Sequence, residues 1–509
     1  MRLRGVAFVA AVMCLIAQAS FASLDYWPTA GWRTSTPEEQ GIDSAVLAES
    51  LASLNKKPIN IHSLVVVRHG YLVLEAYFAP FTPGSQHDIA SVTKSVTATL
   101  IGIAADKGLI RSLDLPALEF FPQRTAANLD DRKKAITVAH LLTMSSGLTC
   151  ITSPGEVTLM QMMASPDWVQ FMLDLPMQDA PGTRFVYNSG GVHLLSAIVH
   201  QAAGKNEIEF AKENLFGPLG ITNVAWPLDP SGADNHGWGD LRLTPPDMAK
   251  IGLLYLERGQ WDGRQVLSPE WVAAATTSHI ATSNPAHPGY GYLWWINDGA
   301  GFAAIGRGGQ RIFVMPDQDL VIVTTSGDDN RTIDQALPAQ IASAVKSPDP
   351  LPPNAAAAEV LRSEVQKAAV QNEKAQPVPK LPKIARRIAG KSYKLQSNPL
   401  GLTSISLEFP KKDEAIVQIA SAGGAAGGSV MQFAVGLDDV FRMAKGREGL
   451  PTAGKGSWKD DKTFAMQLDE IGNINRWIVM ATFDENDVTL VMRSLSGLGE
   501  ITLAGKSAE

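Results

Sequence analysis

Cysteine is nearly absent, with two in 509 residues. Cys14 falls in the N-terminal apolar run, so a mature chain keeps Cys150 alone. One thiol excludes an internal disulfide and any paired-cysteine metal site. No later stretch is apolar and charge-free for long enough to cross a bilayer as a helix. Basic residues do not dominate: the formal net charge is −7, which argues against the concentrated basic face a nucleic-acid binder needs. The nine histidines are scattered, and no His-Glu-x-x-His pair occurs, so the sequence implies no catalytic metal and no cofactor. A Gly-x-Ser-x-Gly elbow is missing, which argues against an α/β-hydrolase. No Gly-x-x-x-x-Gly-Lys phosphate loop is present either.

What remains is an ordinary globular composition, 45% hydrophobic and 19% charged, enough for a sizeable core in more than one domain. Met1-Arg2-Leu3-Arg4 is basic, Val6 to Ala17 is apolar, and Ala17-Gln18-Ala19 and Ser20-Phe21-Ala22 carry small residues at cleavage spacing. Residues 1–22 therefore read as a secretory signal peptide, with a periplasmic or secreted mature protein. The run is too short for a comfortable membrane anchor, so no stable membrane insertion is expected after cleavage. An uncleaved anchor is the competing reading.

Leu47, Leu51 and Leu54 recur at helical spacing within 37–57. Ser63 to Phe78 reads as a hairpin turning at Arg68-His69-Gly70. Ser91 to Lys107 reads as a helix with Val92, Val96, Leu100 and Ile103 on one face, and Gly108 stands at its C-terminal cap. The region from 110 to 285 is mostly helical. Short strands return at Phe302 to Ile305, Arg311 to Met315 and Leu320 to Thr325, before a helix over Ile333 to Val345. Early and late strands with helices between them predict an α/β (α+β) domain over 23–346, its antiparallel sheet closed by both chain ends around a helical subdomain. Residues 347–387 are rich in proline and alanine and read as a linker in which Asn354 to Ala375 forms a solvated helix. Residues 388–509 alternate with period two between Gly- and Asp-rich turns, the pattern of a small all-β barrel or sandwich. Ser421 to Ser429 reads as a flexible Gly/Ala/Ser loop.

The chemistry begins at Ser91-Val92-Thr93-Lys94. Positions i and i+3 share a helix face, which sets an amine beside a hydroxyl, and a neutral lysine can activate a serine nucleophile. The same spacing occurs at Ser53/Lys56 and Ser343/Lys346, both at the ends of amphipathic helices, where a solvated lysine is the simpler reading. Ser91 instead opens its helix, where its backbone N–H faces the positive dipole end and suits an oxyanion. A helix cap is the alternative role for Ser91. Downstream, Tyr187-Asn188-Ser189 precedes an apolar helix, and Gly306-Arg307-Gly308-Gly309-Gln310 opens a strand whose glycines permit close approach. Tyr187 as a core tyrosine and Gly308-Gly309 as a bulge are the structural alternatives. Tyr290, Tyr292, Trp294 and Trp295 are either pocket aromatics or core.

Taken in order, these three segments resemble the serine β-lactamase and penicillin-binding-protein superfamily, in particular its class C β-lactamase, family VIII esterase and 6-aminohexanoate-dimer hydrolase branch. The resemblance covers about 30 to 346. It includes the blocks His140 to Leu148 and Asp240 to Met248. Residues 388–509 more distantly resemble a lipocalin-like domain found on some relatives. The resemblance implies a β-lactamase-like fold and an acyl-enzyme on Ser91, with Lys94 and Tyr187 sharing base and acid duties. It implies an oxyanion hole from the N–H groups of Ser91 and Gln310, and substrate contacts from Asn188, Ser189, Arg307, Gly308 and Gly309. Ser189 stands where the family has asparagine, and Arg307-Gly308 where it has Lys-Thr. Those departures favour a small ester or amide substrate over a β-lactam or a D-Ala-D-Ala peptide. A non-catalytic binding protein is the reading from a different class. Arg307, charged at any relevant pH, is expected to keep Lys94 neutral or help Tyr187 ionise, and to attract a substrate carboxylate.

Overall fold

The structure, a computed structural model, describes residues 24–56, 59–153, 155–297, 299–328, 332–370, 374–422, 429–446, 450–496 and 499–507. The signal peptide read at 1–22 lies outside them, as does most of the Gly/Ala/Ser tract after Ser421. No described helix is long and apolar enough to cross a membrane.

The first sheet takes strands from both ends of the first domain. β1 (Ile61–Arg68) and β2 (Tyr71–Tyr77) form the early hairpin; β3 (Ile280–Ala281), β4 (Gly289–Tyr290), β5 (Trp295–Asn297), β6 (Gly301–Gly306), β7 (Gln310–Met315) and β8 (Leu320–Ser326) follow 200 residues and more later. The order is β2-β1-β8-β7-β6-β5-β4-β3, with every adjacent pair antiparallel. β1 is buried along its whole length because both of its faces are covered. Val65 and Val67 face one core, while Leu64 and Val66 face Leu47 and Leu51 of α1 (Ser44–Lys56) in another. This accounts for an unbroken run of apolar residues where a half-exposed strand would alternate.

Between the two groups of strands lies the helical subdomain. Two of its elements frame the chemistry: α2 (Val92–Asp106) and α3 (Ser189–Ala203), which pack directly against each other. α4 (Pro245–Leu256) crosses the sheet over β7 and β8. α5 (Leu337–Ala344) closes the region against α1.

The segment read as a linker is built differently from expectation. α6 (Ala355–Ala369) is not solvated all round. It docks along α1 through Ala357, Leu361, Glu364 and Ala368, a stripe at helical spacing, and Asn55 donates to the Glu364 backbone and side chain at 3.1 and 2.9 Å. The composition, rich in Glu, Lys and Gln, masked a narrow apolar stripe.

Beyond it, ten strands between Ser392 and Ser507 form one sheet. The sheet closes where Ser429–Gly436 meets Pro451–Trp458 through the Gly436/Lys455 pair, so the domain is a barrel. Alternate residues such as Leu407, Val417, Phe433, Val488 and Leu490 fill it.

Candidate active site

Ser91 stands at the N-cap of α2, yet its side chain makes no capping hydrogen bond. It accepts instead from Nζ of Lys94 at 2.6 Å. The capping alternative therefore fails: the hydroxyl is directed at the amine. The other two Ser-x-x-Lys pairs behave as surface groups, with both Lys56 and Lys346 exposed and Lys346 bonded to the Ser343 backbone. Lys94 is 1% exposed and gives a second hydrogen bond to the Trp238 carbonyl at 2.9 Å. Burial lowers its pKa to about 8, against the opposing pull of Glu156 and Asp240.

The approach to Ser91 is tightly held. Ala90 takes a left-handed conformation, φ 47°, unusual for a residue with a side chain and worth about 1–2 kcal/mol of strain. Its N–H is fixed by the Asp88 carboxylate at 2.8 Å. His87 and Asp88 pair with Leu243 and Arg242, and Ile89 N–H donates to the Leu241 carbonyl at 2.9 Å. The block Asp240 to Met248 thus splints the chain just before Ser91.

Tyr187 reaches the same point from the start of α3. Nζ of Lys94 lies 4.9 Å from its ring centroid. Burial and then the charge of Glu156 push the phenol well above its ordinary range, while Ser91 and Arg311 pull it down. The other block, His140 to Leu148, supports this loop: Val186 N–H donates to the Met144 carbonyl at 2.8 Å and Asn188 N–H to the Met144 sulfur at 3.3 Å. Trp295 stacks on Tyr187 at 6.0 Å with an interplanar angle of 20°. Of the four candidate aromatics, Trp295 is the one beside the site. Tyr290 and Trp294 are core, and Tyr292 stacks on His279.

Gly306 to Gln310 is the turn of the β6–β7 hairpin. Gly306 touches the turn that carries Ser91, since a Cβ there would lie 2.5 Å from the Ile89 carbonyl and 3.1 Å from the Ser91 nitrogen. That contact brings the start of β7, and Gln310, to the edge of the site.

Several of the residues expected to contact substrate also have structural partners. The Asn188 side-chain oxygen caps α3 by accepting from Gly191 N–H at 3.0 Å. Asn188 and Ser189 are both buried in that helix start. Gly308 faces the barrel: a Cβ there would meet Ile474 at 1.8 Å, so an apolar side chain from the second domain fills the space in front of it. Gly309 gives its carbonyl to Thr324 at 2.9 Å. Arg307 is exposed, its guanidinium 3.5 Å from the Ser496 carbonyl, and its charge acts on Asp88. The cation that acts on Tyr187 is Arg311, and Lys94 owes its lowered pKa to burial, not to a neighbouring arginine.

Sequence reasoning missed four contributors. Trp238 acts through its carbonyl, which no side-chain pattern reveals. Arg311 is buried and donates to the Gly306 and Gln310 carbonyls. Glu156 comes from a separate helix start. The barrel loop after Glu470 joins through Gly472, whose carbonyl accepts from Asp88 N–H at 2.6 Å, and through Asn473, which donates to the Asp88 carboxylate at 3.3 Å. Burial and then the nearby Asp240 raise the Asp88 pKa to about 7.

The chain is similar to several known proteins. A 6-aminohexanoate-dimer hydrolase of Paenarthrobacter ureafaciens is 24% identical over 313 residues, covering 57% of this chain and 79% of that protein. A β-lactamase of Yersinia enterocolitica is 25% identical over 175 residues, 34% of this chain and 42% of that one. The crystal structure of a family VIII carboxylesterase superposes with a TM-score of 0.51 at 17% identity, over 62% of this chain and 98% of that one, a likeness of fold. The sequence profile of the family described as Beta-lactamase matches residues 59–346, more than half of the chain, and the protein belongs to that family of hydrolases.

Proposed function

We propose that this protein is a serine hydrolase that cleaves ester or amide bonds of a small substrate through an acyl-enzyme on Ser91. The observation that carries the reading is the 2.6 Å contact between Ser91 and a lysine whose burial lowers its pKa to about 8. In its neutral form Lys94 accepts the Ser91 proton as Oγ attacks the substrate carbonyl carbon. The carbonyl electron pair moves onto oxygen, where the N–H groups of Ser91 and Gln310 receive it; losing one such donor costs about 3–4 kcal/mol in related chemistry. Collapse of the tetrahedral intermediate breaks the bond to the alcohol or amine, which departs with a proton. Tyr187, held protonated by its raised pKa, is the donor suited to that step, leaving Lys94 as the base. Water then attacks the acyl group by the reverse proton route and frees Ser91.

The relatives support the bond types. One is described as a 6-aminohexanoate-dimer hydrolase and another as a family VIII carboxylesterase. Trp295 beside Tyr187 offers an apolar wall for an acyl chain. With the leader read at 1–22, the reaction takes place outside the cytoplasm.

Steady-state assays with p-nitrophenyl esters of increasing chain length, an aryl amide and a chromogenic cephalosporin test this. Ester or amide turnover abolished by Ser91→Ala is expected. Turnover of the cephalosporin alone would make the protein a β-lactamase, and turnover of none would favour a binding role.

A further inference from the structure

We propose that His193, Asp229 and Asp234 form a site for one divalent transition-metal ion, with Zn²⁺ the ion its donors suit best. One donor atom from each residue lies within 4.8 Å of the other two, and all three residues are buried. His193, on α3, is 0% exposed and neither ring nitrogen has a hydrogen-bond partner. The Asn235 backbone lies near the ring but outside hydrogen-bonding geometry. An imidazole sealed away from water with both nitrogens unsatisfied is costly, and a metal bond relieves it.

The alternative is a simple ion pair, and the distance argues against it. Nε2 of His193 is 3.9 Å from Oδ2 of Asp229, beyond a hydrogen bond. Two ligands on one Zn²⁺, with bonds of about 2.0–2.1 Å, stand roughly 3.4 Å apart in tetrahedral geometry. The observed spacing is close to a gap with room for an ion.

Outer contacts hold the carboxylates as metal ligands are commonly held. Oδ1 of Asp229 accepts from Ser231 Oγ at 2.6 Å and Ala233 N–H at 3.2 Å, leaving Oδ2 toward His193. His200 contacts Oδ1 of Asp234 at 2.8 Å. Trp168 and Trp238 close around the imidazole edge-on, at 5.3 and 5.4 Å. A cavity of about 740 Å³ is lined in part by Asp229 and offers an entry path on that side of the cluster. One imidazole and two carboxylates suit Zn²⁺ better than the all-oxygen preference of Ca²⁺ or Mg²⁺.

The site consists of one helix residue and a short loop, so no spacing motif announces it. Its position gives it a consequence. The loop that carries Asp229 and Asp234 runs on to Trp238, whose carbonyl holds Lys94. An ion pinning that loop to α3 would steady the lysine without touching the reacting atoms. The proposal stands independently of the hydrolase reading.

The test is calorimetric titration of ZnCl₂ into the full chain freed of metal by chelation, with Co²⁺ absorption as a second readout. One equivalent bound at micromolar or tighter dissociation constant is expected, with visible bands of tetrahedral Co²⁺. Binding should weaken at least about 100-fold in His193→Ala and in Asp229→Asn, and persist in His279→Ala, which removes an exposed histidine. Circular dichroism checks folding; should His193→Ala not fold, His193→Gln carries the same comparison. No site tighter than about 1 mM in the wild type, or an equivalent that survives the His193 and Asp229 substitutions, would overturn the proposal.

Discussion

The carbonyl of Gly472, in the C-terminal barrel, accepts a 2.6 Å hydrogen bond from the N–H of Asp88, in the strand that leads to Ser91. The second domain is thus part of the scaffold of the candidate active site, and Ile474 two residues on is packed against Gly308 with 2% of its surface exposed.

That packing predicts a rescue. Gly308→Ala forces a methyl group into Ile474 and asks a non-glycine residue to keep φ 79°, so melting temperature and acylation rate should both fall sharply. Adding Ile474→Ala removes the Cγ2 atom 1.8 Å away but leaves Cβ at 2.8 Å and the backbone strain, about 1–2 kcal/mol. The double variant should therefore recover part of the loss. If the two substitutions simply add, measured by thermal unfolding of all four proteins, the contact is not the reason for the glycine.

With Lys94 as base and its pKa at about 8, the acylation rate should rise with pH through that value, because only about one lysine in ten is neutral at pH 7. Glu156 raises the lysine pKa. Glu156→Gln removes that pull, moves the rising limb to lower pH, and increases the rate at pH 7 by at most about tenfold. Stopped-flow acylation across pH 6–10 reads this directly. A limb that stays in place shows that Glu156 does not reach the lysine.

Glu207 is buried without a satisfactory hydrogen bond to either oxygen, and burial raises its pKa from 4.5 to about 8. The folded state therefore holds this proton more tightly than the unfolded chain does. The stability it contributes is complete below pH 4.5 and is lost as pH rises to about 8. Glu207→Gln should flatten that decline and leave the protein more stable at pH 8.5, by on the order of a few kcal/mol. Urea unfolding at pH 6 and pH 8.5 checks it; a wild-type slope equal to that of the variant would show that the carboxyl finds a partner.

The architecture was largely legible in the sequence. Period-two alternation located the barrel strands, which bury one regular face, while β1, α2 and α3, buried on nearly every side, were legible from their apolar runs and the turn and cap residues that bound them. α6 was misjudged because its buried stripe is narrow, two alanines, one leucine and one glutamate. Ser91, Lys94 and Tyr187 were found together because a short spacing and two loop motifs mark them. Contacts made by folding over long separations were not visible. Asn473 meets Asp88 across 385 residues, and Trp238 contributes only a carbonyl. Arg307 drew attention as the charge in its motif, while Arg311, four residues on and buried, is the cation acting on Tyr187.

The central claim is that Ser91 forms an acyl-enzyme, and intact-protein mass spectrometry after brief exposure to an activated ester or a fluorophosphonate tests it most directly. The account predicts a gain of one adduct in the wild type, slower in Lys94→Ala and absent in Ser91→Ala. A wild type that never gains mass, or a Ser91→Ala variant that gains the same adduct, would contradict it.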